Sequence, residues 1–94
     1  MLIKEDVPMS GKRVGEVIHF FDRISVAVIK LSSNLHKGDK VHFLGHGSDF
    51  TQEISSMQIE HETIESADKG QEVATKVTKP VKPHTSVFLI TEEE

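Results

Sequence analysis

Between Leu35 and Val77, short stretches rich in β-branched and aromatic residues are cut every few positions by polar turns. These are Lys37-Gly38-Asp39, then Gly45-His46-Gly47, then Ala67-Asp68-Lys69-Gly70. Such punctuation leaves no room for a helix of ordinary length, and no segment sustains an apolar repeat of 3.6 residues. The alternation predicts strands over 13–21, 24–31, 40–45, 49–59, 71–78 and 86–90. A short pairing segment over 63–65 would add a seventh, and an edge strand over 2–7 would stop at Pro8. Short strands at this spacing predict an all-β chain, read as a small closed Greek-key β-barrel of six to seven strands.

A single domain is expected over 1–94, with a core over about 13–90 and a frayed, acidic tail over 91–94. Within the strands, 24–31 is apolar on both faces at Ile24, Val26, Ala27, Val28 and Ile29, which marks a central strand or one lying against a partner. In 49–59, Phe50 and Ile54 share one phase while Met57 and Ile59 share the other. An extra residue must be absorbed between them, and a β-bulge is expected near Ser55-Ser56. Gly38, Asp39, Gly45 and Gly70 read as structural turn residues, with Gly38 free to take positive φ and Asp39 able to bond nearby N–H groups.

The net charge of −4 argues against extended phosphate neutralisation, and the absence of cysteine excludes disulfides, thiol catalysis and thiolate metal sites. The longest apolar run, 26–29, cannot span a bilayer, and Lys4, Glu5 and Asp6 interrupt the N-terminus where a signal peptide needs an apolar segment. No membrane association and a cytoplasmic location are expected. No cofactor is implied.

Six histidines, including His42 and His46, raise a metal-protein reading, but no three converge in the sequence. Gly45-His46-Gly47-Ser48-Asp49 reads as a hairpin connection, because the phosphate-loop order and a shaped triad pocket are both missing. Lys76, Lys79 and Lys82 form a basic segment without acids. It reads either as a phosphate contact for RNA or as protection of a strand end by Lys and Pro. Phe20 and Phe21 must point to opposite faces of their strand, so one of them, beside Arg23, is available for apolar or stacking contact. The acids Glu60, Glu62, Glu65, Asp68 and Glu72 read as a solvated face or as a surface for a basic protein.

From Val14 onward the chain resembles domain 2 of the EF-Tu-like translational GTPases. The resemblance rests on Gly15-x-Val17, Val26-Ala27-Val28, Leu35-x-Lys37-Gly38-Asp39-x-Val41, Gly45, Ile54-x-Ser56-Met57-x-Ile59 and Ala67-x-x-Gly70-x-x-Val73. Small free-standing proteins of the translation elongation factor-like type look similar, and a related barrel occurs at the C-terminus of collagenase-like peptidases. The GTPase motifs are absent, so no nucleotide binding is expected. The resemblance implies a non-enzymatic module that contacts tRNA-like RNA or a ribosome- or translation-linked protein through Lys76, Lys79, Lys82, Phe20, Phe21 and Arg23. The alternative it leaves open is an accessory barrel subunit of a collagenase-like peptidase. A histidine-based metal protein is the third reading.

Overall fold

A computed structural model describes residues 11–90. The strand expected over 2–7 and the tail at 91–94 lie outside the described residues. Ten strands follow one another: β1 (Arg13–Phe21), β2 (Val26–Leu31), β3 (Leu35–His36), β4 (Lys40–Gly45), β5 (Ser48–Glu53), β6 (Met57–Ile59), β7 (Glu62–Ile64), β8 (Ser66–Ala67), β9 (Glu72–Lys76) and β10 (Ser86–Leu89). No helix occurs among the described residues. The expected all-β class is what forms.

The expected closed barrel is not what forms. Eight strands make one antiparallel sheet in the order β5-β4-β10-β1-β2-β9-β6-β7, and β3 pairs with β8 in a separate ribbon. The strand expected over 49–59 splits into β5 and β6, because residues 54–56 leave the ladder. There the Ile54 N–H donates to the Asp39 carbonyl and the Ile54 carbonyl accepts from Gly38 N–H, each at 2.8 Å. Those backbone groups are spent on the Lys37-Gly38-Asp39 turn and cannot close a ladder between β5 and β9. A side chain bridges the gap instead. The buried Gln52 amide donates to the Lys76 carbonyl at 2.9 Å, and its oxygen accepts from Thr78 N–H at 2.8 Å.

The interruption at 54–56 takes up the phase change that the sequence places near Ser55-Ser56. The bulged registers lie elsewhere, in β1, between Arg13 and Gly15 against β10 and between Val17 and His19 against β2. The second of these lets both Val17 and Phe20 face inward although they are three apart, which strict alternation forbids. The spacing of Val14, Val17 and Phe20 was the signal for it. Inside, Phe43, Ile29, Leu35, Ile54 and Met57 are fully buried, and Phe43 stacks on the half-buried Phe50 with ring centroids 5.0 Å apart.

Candidate interaction groove

Ladder register sets which side chains share the outer face of the central strands. Phe21 pairs with Val26, and Val26 with Lys76. One row on, His19 pairs with Val28, Val28 with Ala74, and Ala74 with Gln58. Because inward and outward residues alternate, Ala27, Ile29, Val73 and Thr75 fill the core while their neighbours line the outside. The second apolar face of β2, legible in the sequence, is this outer one. Among the described residues nothing covers it completely: Val26 and Val28 remain half-exposed.

Two turns raise this face into a groove of about 390 Å³, lined by Phe21, Ile24, Val26, Ala74, Gln58, Glu60 and His61. The β1–β2 turn is residues 22–25, opened by a bond from Ile24 N–H to the Phe21 carbonyl and ended by Ser25 at φ 56°. Ile24, expected within the second strand, instead stands in this turn and is 58% exposed, with Phe21 at 46%. The His19 ring meets Phe21 edge-on, centroids 4.4 Å apart, and steadies it. The opposite rim is the two-residue turn between β6 and β7, in which Glu60 and His61 both hold positive φ, 51° and 68°. Hairpin turns of that shape favour Asn-Gly, so two bulky residues there store strain.

The six residues singled out in the sequence separate in space. Phe21, Arg23 and Lys76 come to the groove side: Phe21 lines it, Arg23 stands in its turn, and Lys76 is opposite Val26. Phe20 is half-buried and packs against the core. Lys79 lies over the Phe50 ring, 5.8 Å from its centroid, beside Pro80 and the start of edge strand β5. At Lys82 the backbone carbonyl is engaged, accepting from the Thr85 hydroxyl at 2.7 Å. Lys76 thus stands beside the groove and Lys79 against the β5 edge. Gln58, His61 and Ala74 were missed, and Ile24 and Glu60 were marked only in separate surfaces, because the groove residues meet only through pairing of strands distant in sequence.

Several of the histidines have local partners. His42 donates from Nε2 to the Asp49 carboxylate at 2.7 Å, and His84 donates from Nδ1 to Glu16 at 2.9 Å. The His84 bond holds the Glu16 carboxyl below its usual range, against a smaller opposing effect of desolvation; the charges of His84 and Arg13 add to the lowering. His46 faces His84 with ring centroids 6.0 Å apart. Among the described residues no three His, Asp, Glu or Cys side chains are grouped to hold a metal. Gly38, Gly45 and Gly70 take positive φ at their turns, and the Asp39 carboxylate accepts from His36 N–H at 2.9 Å.

No family model matches the chain. An uncharacterized protease of Methanocaldococcus jannaschii is 35% identical over 80 residues, which is 84% of this chain and 20% of that protein. A collagenase of Porphyromonas gingivalis is 30% identical over 83 residues, 86% of this chain and 23% of the collagenase. The chain thus spans about a fifth of the length of the curated relatives it matches. Among solved structures, the C-terminal domain of a Geobacillus thermoleovorans protein named as a U32 peptidase superposes with a TM-score of 0.80 at 25% identity, covering 83% of this chain and 99% of that domain. A second crystal structure of that domain is alike in fold, with a TM-score of 0.80 at 22% identity over 97% of this chain. The expected kinship with EF-Tu-like translation factors is overturned by these matches, and with it the RNA-binding, non-enzymatic role drawn from that kinship. The chain is similar in sequence to proteins named as a protease and a collagenase, and in sequence and fold to a C-terminal domain of a U32 peptidase.

Proposed function

We propose that this chain is an accessory all-β domain of a U32-peptidase-like enzyme, supporting hydrolysis of peptide bonds by supplying a contact surface. The observation that carries the reading is the superposition over 99% of a domain solved by itself, at 25% identity. A unit that matches another domain end to end is a module, and a module with an open apolar groove acts through what it touches. Phe21, Ile24 and Val26 form the floor and one wall of that contact, with Arg23 and Lys76 at its margin. Lys79 and Pro80 shield the start of edge strand β5.

The test uses the Methanocaldococcus jannaschii relative shortened by the 80 residues that this chain matches. Supplying this chain in trans is expected to produce a saturable rise in kcat/KM on a peptide substrate, and the Ile24→Glu chain to produce none. No rise at any concentration, from a shortened enzyme shown to be folded, would sink the reading.

A further inference from the structure

Away from the groove, three strands bring two imidazoles and a carboxylate together. Ser86 on β10 pairs with Leu44 on β4 and with Glu16 on β1. Continued past that pair, the β4–β10 register sets His46 opposite His84, and their ring centroids are 6.0 Å apart. The backbone places both rings. His46, at φ 51°, opens the two-residue turn between Gly45 and Ser48, and His84, at φ 78°, donates its N–H to the Val17 carbonyl at 2.7 Å. Glu16 then fixes which nitrogen of His84 is available. Its carboxyl is held below the usual range, chiefly by the bond from His84, so it is ionised at neutral pH. An ionised carboxylate only accepts, so Nδ1 carries the hydrogen of that 2.9 Å bond and the lone pair of the neutral ring is on Nε2. A carboxylate that holds one imidazole nitrogen while the other presents its lone pair is the arrangement found behind most metal-bound histidines.

We propose that His46 and His84 form an exchangeable site for a divalent transition ion of the zinc, nickel and copper class, with Glu16 as the residue that positions His84. Imidazole suits these ions, whereas calcium and magnesium require oxygen ligands that the two rings do not offer. Two rings on one ion, each with a metal–nitrogen bond of about 2.0–2.1 Å, have their centres about 5 Å apart at the tetrahedral angle. Rotation of two exposed side chains closes the observed 6.0 Å to that distance. Two protein ligands leave the other positions to water, which reaches the site freely because the His84 side chain is 74% exposed. Such a site exchanges its ion, unlike a closed structural site with four protein ligands. None of the three residues lines the groove, so the ion site is independent of the accessory-domain reading.

The test titrates zinc chloride into the full chain, made without a histidine tag, and follows the imidazole nitrogen resonances. His19, His36, His42 and His61 serve as internal controls. His46 and His84 are expected to shift together and to saturate at one ion per chain with a Kd of about 10 µM, and magnesium chloride to shift neither. His46→Asn and His84→Asn should each weaken binding by about tenfold or more, one of two ligands being lost. Asn accepts positive φ, and Asn-Gly is the preferred pair for the turn at 46–47, so ion-free His46→Asn should melt no lower than wild type. Glu16→Gln should weaken binding about tenfold while the same two rings still shift at one ion per chain. Shifts confined to one ring, or spread evenly over all six histidines, would overturn the site. Unchanged affinity in a folded His46→Asn or His84→Asn chain would do the same, and unchanged affinity in Glu16→Gln would remove the positioning role.

Discussion

At Gly15 two strands come too close for any side chain. A methyl group built there would lie 2.7 Å from Ile29 Cγ2 and 2.8 Å from the Lys30 carbonyl, both on β2, the neighbouring strand of the same sheet. Backbone and a fully buried side chain cannot yield cheaply, so Gly15→Ala is expected to destabilise the domain by about 1–3 kcal/mol in denaturant unfolding. An unchanged midpoint would show that β1 and β2 separate more easily than the packing implies. Glu16, the next residue, sets a pH dependence. Its folded pKa lies below the usual 4.5, chiefly through the bond from His84. A depressed carboxylate stabilises the fold above the unfolded value, and that stabilisation is lost as pH falls through the folded value. The stability gap between wild type and Glu16→Gln should therefore be fully open above the unfolded pKa and close on acidification. A gap that widened at low pH would contradict the assignment.

Among the elements, the sheet is finished by a side chain where a ladder would otherwise run. Gln52 on β5 bonds both the Lys76 carbonyl and Thr78 N–H, joining the end of β9 to an edge strand that backbone pairing does not reach. Gln52→Leu keeps the volume and removes both partners, leaving a carbonyl and an amide without their bonds in a part-buried place. The cost should be about 2–4 kcal/mol by chemical denaturation. Enhanced hydrogen exchange at Thr78 should accompany it, and protection of that amide as in wild type would exclude the bridging role. The sequence marks β5 and β9 as strands through their alternation, but nothing near Gln52 announces its partners 24 and 26 residues away. The same limit explains the strand expected over 49–59. The phase change from Ile54 to Met57 was visible, whereas the bonds of Ile54 to Gly38 and Asp39 that turn the change into a break were not.

For the whole molecule, turn chemistry misled about kinship for a physical reason. Lys37-Gly38-Asp39 and Ala67-x-x-Gly70 mark places where an all-β chain reverses, and any protein that reverses there meets the same steric demand. They identify geometry shared by unrelated sheets more readily than descent. Similarity spread along the chain, to a protease, a collagenase and a peptidase domain, weighs more because it includes positions that no turn dictates. By itself the sequence determined an all-β chain, strands near 13–21, 40–45, 71–78 and 86–90, and a β2 apolar on both faces. Those properties depend on neighbours two to four residues apart. Only the tertiary structure decided that the sheet stays open, that Lys79 serves the β5 edge, and that Phe21, Ile24, Val26, Ala74, Glu60 and His61 form one groove. Those outcomes depend on the register of β1 with β2, β2 with β9 and β9 with β6. Register is chosen by how the entire core packs, and no local pattern records it.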